Sequence, residues 1–350
     1  METVWFFLLA LVLAVYVVLD GYDLGVGIIY PFVGRTRAER DAARRTVLPV
    51  WDGNEVWLIA GGGFLFFAFP RAYSAAFAGF YLAFFVLLCL LIPRGLALEL
   101  RSYVDHPLWW DLCDGVFFAA SLALAFVYGV ALGNVLRGVP LDASGYFFVP
   151  FWTHPLRTGP NPGVFDWYTV LAGVSGVAVL LVHGAAFLAM RSVDPVRSRA
   201  LAAARWGAAA AVVLPVLTVA ITPLVNPVLL DNYRRRPAAF ALPAAMVVTA
   251  VAMTASAWHR RGRATFLTSS LLILLTIASA AFSLHPVLLV ATTGPAYDLT
   301  IDNSAASHYA LTVGLVWGGV GLFAAAIYSA FAHHLFRSRH SPVPGGIGHA

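Results

Sequence analysis

Lysine is absent from this chain: all 22 basic residues among its 350 are arginine. Charge of either sign is scarce, at 11% of residues, less than half the roughly 25% of an ordinary soluble protein. Cysteine is nearly absent too. Cys89 and Cys113 form no Cys-x-x-Cys pair and no haem-attachment motif, which excludes a disulfide framework or a thiolate metal site. Both lie in or near apolar runs, where small buried apolar residues are expected. No low-complexity segment and no soluble domain stands out. The longest hydrophilic stretch, about 137–166, is rich in proline, glycine and aromatics and reads as a loop.

Apolar sequence fills the space that charge leaves. Hydrophobic residues make up 60% of the chain, and its mean hydropathy is +0.80. Nine apolar runs recur, at roughly 4–24, 53–70, 77–97, 115–136, 167–190, 206–224, 238–257, 266–285 and 309–334. Each approaches or exceeds the ~20 residues that cross a bilayer as a helix. A single signal peptide cannot account for runs spread over the whole length. The pattern predicts an all-α polytopic membrane protein with nine transmembrane helices. One transmembrane domain covers 1–337, and a short disordered cytoplasmic tail follows over 338–350. The second run is short before Pro70, and Pro215 and Pro223 interrupt the sixth; proline in a membrane helix usually kinks it without ending it.

Nine crossings place the termini on opposite sides, and the arginines orient them. Loops on one side, together with the tail, hold 16 arginines, against six on the other, at Arg71, Arg137, Arg157 and Arg234 to Arg236. The positive-inside rule then puts the N-terminus outside and the C-terminus in the cytoplasm. The triplet at 234–236 breaks the pattern, so the sixth run is either re-entrant or a local exception. Arginines in short loops act as topology signals, and the pI of about 9.4 calls for no nucleic-acid partner.

Chemistry enters with acids at helix ends. Asp20-Gly-Tyr-Asp-Leu-Gly-Val-Gly27 closes the first run, and Trp51-Asp-Gly-Asn-Glu-Val-Trp-Leu58 opens the second. Asp20 and Asp23 are three apart, as are Asp52 and Glu55, so each pair shares a helix face. Ionisable groups at membrane depth are costly and by default mark ion or proton pathways. Clustered, partly desolvated carboxyls could carry a proton in from the cytoplasm. The competing reading is structural: the acids cap helices or pair with Arg44, Arg45, Arg94 or Arg101. Asp20 has no basic residue within one turn in sequence, which favours a relay there. Asp52 closely follows Arg44 and Arg45 and could serve both ends. Arg94 and Glu99, near the end of the third run, read either as a salt-bridged helix end or as part of the same acidic region. Gly21, Gly25 and Gly27 allow close helix approach; their spacing does not match a dinucleotide loop.

His183 is the one histidine deep in an apolar run. Haem ligation normally needs more than a lone imidazole, so a hydrogen-bonded structural histidine is expected. His285 stands at a helix end, and His333 and His334 at the last cytoplasmic boundary. Proton-handling groups without a redox centre suggest a subunit that supports a partner's chemistry. Two further readings are a secondary transporter and a purely structural membrane subunit. Against the transporter, the acids gather at one end instead of the midplane, and no internal repeat is visible.

Taken together, the 20–27 and 51–58 motifs resemble subunit II of cytochrome bd-type quinol oxidases. The likeness continues through Ala60-Gly-Gly-Gly-Phe64 and Phe69-Pro-Arg-Ala-Tyr73 to Arg94 and Glu99. It resumes at Phe187-Leu-Ala-Met-Arg191 and at Leu299-Thr-Ile-Asp-Asn-Ser-Ala-Ala-Ser307. The segment Leu284-His-Pro-Val-Leu-Leu-Val-Ala-Thr-Thr293 departs from the family pattern. The resemblance implies two four-helix bundles plus a peripheral helix. It implies a haem-free chain in a bacterial cell membrane, paired with a larger subunit I. That partner would hold two b-type haems, haem d and the quinol site, and would reduce dioxygen to water. A small single-helix accessory subunit, membrane lipid and quinone are further partners it suggests. Asp20 and Asp52 match the family's proton-entry acids, and Glu99 matches an acidic position. Asp23, Glu55 and Arg94 are added as neighbours of that path.

Overall fold

The computed structural model describes residues 1–336, so the tail expected to be disordered over 338–350 lies outside the described residues. Apolar sequence becomes helix because hydrocarbon leaves a backbone no other partner for its amides. In chain order the helices are α1 (Glu2–Val33), α2 (Arg37–Arg44), α3 (Trp51–Ala68), α4 (Pro70–Gly79), α5 (Tyr81–Leu100), α6 (Pro107–Arg137) and α7 (Trp167–Arg191). They continue as α8 (Val196–Ala208), α9 (Ala210–Val225), α10 (Asp231–Arg235), α11 (Ala241–Trp258), α12 (Gly262–Leu284), α13 (Ile301–Ser304) and α14 (His308–Leu335). A two-stranded antiparallel ribbon, β1 (Val287–Leu289) with β2 (Leu299–Thr300), lies between α12 and α14.

Eight helical stretches are long and apolar enough to cross a membrane among the described residues, with α8 and α9 forming one of them. The protein is therefore an all-α, polytopic membrane protein. The second expected run, α3, is outside that set: its first two turns carry Asp52, Asn54 and Glu55, and the helix is only 18 residues long. Pro70 supplies the break. It opens α4 at the first helical position, where its missing amide costs nothing.

Hydrogen bonds sort the helix ends into two groups. At one end Arg37 pairs with Asp105, Arg199 with Glu39, and Arg191 donates to the Phe336 carbonyl. At the other, Trp5 donates to Leu311, Ala306 to Ala68, and Asn226 to Leu136. The α8–α9 stretch thus starts beside Val33 and Glu39 and finishes beside the end of α6, running from one end of the bundle to the other. The triplet at 234–236 is a local exception to the charge pattern.

Buried ion pairs lock both ends. Near the arginine-rich end, Arg101 bridges Asp41 and Asp114, and Tyr30 donates to Asp114 at 2.8 Å. Burial pushes the Glu39 carboxyl up, but hydrogen bonds from Arg199 and from the Arg35 and Thr36 amides outweigh it and hold the group below its ordinary value. At the opposite end Asp166 caps α7 by accepting from the Tyr168 and Thr169 amides at 2.9 Å, and it also pairs with Arg137. Within the bundle α1 is central, packing against α3, α6, α7 and α12. By contrast α14 buries Leu311 alone. Cys113 is buried as expected, whereas Cys89 is exposed on the outer face of α5.

Candidate functional site

The first acidic motif does not end its helix. Ten residues of α1 follow Asp23, so Asp20 and Asp23 sit inside the helix, 1% and 0% exposed. Their partner comes from α5. Arg94, fully buried one residue after Pro93, places Nη2 at 2.6 Å from Asp20 Oδ1 and Nη1 at 2.8 Å from Glu55 Oε1. One guanidinium thereby ties α1, α3 and α5 together, a geometry that its planar fork of donors suits.

Asp20 Oδ2 faces the hydroxyl of Tyr16 at 2.8 Å, one turn back along α1. Tyr16 in turn lies 2.5 Å from the hydroxyl of Tyr128 on α6. A hydroxyl has one proton, so Tyr16 donates to the carboxylate when Tyr128 donates to Tyr16. Tyr128 also borders an apolar cavity of about 380 Å³ between α6, α7, α9 and α12.

Asp23 is served separately. The Asn54 amide nitrogen donates to Asp23 Oδ2 and to the Tyr22 hydroxyl, each at 2.7 Å. Among the described residues, Asp23 Oδ1 and Arg94 Nε are buried without a hydrogen-bond partner. Asp20, Asp23 and Glu55 surround a single arginine. Full ionisation would leave two of the three negative charges unbalanced around one cation, with Asp20 and Asp23 fully buried and Glu55 partly exposed, which is a costly state.

Asp52 and Glu99 lie apart from this cluster. Both are exposed; Asp52 has no salt bridge among the described residues, and Glu99 accepts from Trp51 Nε1 at 3.0 Å. The expected pairing of Asp52 with Arg44 or Arg45 does not occur, because Arg44 points away to the Leu98 carbonyl and Ser102. Nor does a salt-bridged end of α5 form around Glu99. Arg94 turns inward to Asp20, and Arg101 is taken by Asp41 and Asp114. Asp52 instead heads an exposed stripe of α3 that continues through Val56 and Ile59, one and two turns on. Glu99 ends a similar stripe of α5 through Ile92 and Leu96.

Comparison with known proteins bears on the transporter reading. The family described as "Cytochrome bd terminal oxidase subunit II" matches residues 1–336. The chain belongs to this family. It is 31% identical to the cytochrome bd ubiquinol oxidase subunit 2 of Bacillus subtilis, over 89% of each chain. It is also 31% identical to the cytochrome bd-I ubiquinol oxidase subunit 2 of Escherichia coli, covering 91% of this chain and 89% of that one. The solved bd oxidase of Geobacillus thermodenitrificans contains a chain of the same fold, with a TM-score of 0.74 and 18% identity over 96% of this chain and 98% of that one. As a cytochrome bd subunit II, the chain is a component of a quinol oxidase, and the transporter reading is set aside.

In this bd subunit II, His183 is a buried, hydrogen-bonded residue. Its Nε2 is 2.9 Å from the Val18 carbonyl, which can only accept, so Nε2 carries the proton. Nδ1 is left to Ser269 Oγ at 2.7 Å. Both ring nitrogens are engaged inside the chain and the ring stacks on Phe266. Among the described residues no group of three or more His, Cys, Asp or Glu side chains could hold a metal ion.

Sequence reasoning missed Tyr16, Asn54, Tyr128 and Asp114. Tyr16 carried a signal, since it stands four residues before Asp20 on the same face. Asn54 was inside the quoted motif but has no titratable group. Tyr128 is 112 residues from Tyr16 and nothing local announces it.

Proposed function

We propose that this chain is the haem-free subunit of a quinol:dioxygen oxidoreductase and supplies the cytoplasmic proton path to its haem-bearing partner. The observation carrying this reading is the buried Asp20–Arg94–Glu55 bridge, with Asp23 beside it and one unmatched oxygen on Asp23. A purely structural ion pair needs one acid per arginine; here three acids crowd one cation, and the surplus is what a proton-exchanging site requires.

In this reading α3 is the ninth span. The protein is one transmembrane domain over 1–337, with two four-helix bundles and α14 as the peripheral helix. The N-terminus is outside and the C-terminus cytoplasmic, in a bacterial cell membrane. The partner, subunit I, holds two b-type haems, haem d and the quinol site, and docks on the exposed apolar stripes of α3 and α5. Asp52 and Glu99, at the cytoplasmic ends of those stripes, take protons from solvent. Glu55 and Asp20 pass them inward, Arg94 positions both, and Asp23 is a second holding point. When bound in the partner, the haems supply the electron transfer and oxygen chemistry. This chain's own groups hold and move protons. A small single-helix accessory subunit is a further proposed partner.

Two measurements test the assignment. The complex that co-purifies with this chain should show haem b and haem d absorption, and His183→Ala should leave the haem content of assembled complex unchanged. Loss of one haem from an intact His183→Ala complex would overturn the haem-free role. For orientation, a cysteine introduced at Ser144 should be labelled in intact cells by a membrane-impermeant reagent, and one at Ala38 should not. The reverse pattern would invert the topology.

A further inference from the structure

We infer that the face formed by α8 and the α11–α12 turn binds the phosphate headgroup of an anionic phospholipid. Five arginines lie along this face: Arg197 in the first turn of α8 and Arg205 in its last, Arg260 and Arg261 in the turn, and Arg263 at the start of α12. All five are exposed, and none makes a salt bridge among the described residues. The turn lies over α8: a Cβ at Gly262 would touch Leu201 and Ala189 at 3.5 Å. The nearby acid is Asp194. Its carboxyl is held below the ordinary value first by the Ser198 hydroxyl, with the charges of Arg197 and Arg260 adding to the effect. Cations therefore outnumber acids along this face.

Topology signalling alone asks only for positive charge somewhere in a loop. Two features ask for more. First, the turn after α11 closes as a Schellman motif, with Arg261 N donating to Ser256 O at 2.9 Å and Arg260 N to Ala257 O at 3.1 Å. Arg260 therefore takes the left-handed position, at φ 54°, that glycine fills without steric cost. A cation is kept where backbone geometry favours glycine. Second, the guanidinium of Arg205 lies 4.2 Å from the ring centre of Trp258, which fixes the charge at the rim of an apolar surface. Trp206 and Trp258 are 84% and 53% exposed beside it, in the amphipathic role that tryptophan takes at headgroup level. Charge above and exposed indole below match a phosphate with acyl chains attached. A free phosphate ion would use only the upper half.

The test uses the purified oxidase complex containing this chain, delipidated in neutral detergent. It is titrated with phosphatidylglycerol or phosphatidylcholine, and bound lipids are counted by native mass spectrometry. Wild type should retain phosphatidylglycerol in preference to phosphatidylcholine, and millimolar inorganic phosphate should not displace it. Replacing Arg197, Arg205 and Arg260 together with Gln should weaken that site about a hundredfold, at about fivefold per arginine near an anionic headgroup. The same replacement at Arg234, Arg235 and Arg236 should leave the site unchanged. Arg260→Gly guards against misfolding, because it removes one charge and relaxes the turn. Affinity should drop about fivefold with no fall in thermal stability. Unchanged retention in the triple variant, equal retention of phosphatidylcholine, or displacement by phosphate alone would each overturn the proposal.

Discussion

Asp20→Asn is expected to lower oxidase turnover on the order of a hundredfold per assembled complex, the scale for losing a positioned proton-transfer group. It is also expected to lower the yield of complex. The second effect follows from Arg94, which is fully buried and has Asp20 at 2.6 Å as its nearer partner. Stranding one member of a buried pair costs about 3–5 kcal/mol. Glu55 still holds the other side of the guanidinium and the new amide oxygen can still accept, so the cost should fall toward the low end. Turnover normalised to haem d separates the two effects. Asp52→Asn provides the contrast: with no ion pair to break, it should assemble at wild-type yield and lose turnover only. This reverses what local sequence implied, where Asp20 stood clear of any base and Asp52 followed two arginines. Normal turnover per haem at saturating quinol in both variants would sink the proton path.

That reversal shows where the sequence was legible. Spans could be read because hydrophobic length is a one-dimensional property, and eight of the nine runs became helices of membrane length. Their edges moved outward: α1 continues through the apolar stretch from Leu24 to Val33, and α6 starts at Pro107, ahead of Asp111 and Asp114 in its first turns. The motif at 20–27 was recognised, but its place in the middle of α1 was not. A run that loses hydrophobicity at Asp20 looks finished, whereas Arg94 neutralises that aspartate and the helix continues. Which acid meets which arginine is a tertiary fact. Arg94 is 74 residues from Asp20, and the choice of Asp20 over Glu99 depends on which face of α5 turns toward α1. His183 was legible as a hydrogen-bonded residue because a lone imidazole needs partners in any dry interior, whichever residues supply them.

Gly25→Ala should be the most damaging single-methyl change in the molecule. Here α1 crosses α7 backbone to backbone: a Cβ on Gly25 would fall 2.0 Å from the Leu180 carbonyl oxygen and 2.7 Å from the Gly184 backbone. No side chain can rotate aside, so the two helices must separate. Overpacking a core costs typically about 1–3 kcal/mol, and a clash with backbone belongs at the top of that range or above it. The separation would reach the functional cluster, because Asp23 lies two residues before Gly25 and His183 holds the Val18 carbonyl across the same contact. Gly184→Ala attacks the crossing from the other side, since its Cβ would meet Gly25 at 2.3 Å. The double variant should therefore be less destabilised than the sum of the singles, as both relax through one displacement. Gly115→Ala is the control: it is exposed on α6 with nothing within 4 Å of the new methyl. That change should be neutral or stabilise by up to about 1 kcal/mol through helix propensity. Thermal unfolding of the purified complex, followed by loss of the haem d band, ranks the four variants. A Gly25→Ala complex as stable as Gly115→Ala would show that α1 and α7 do not meet at this crossing.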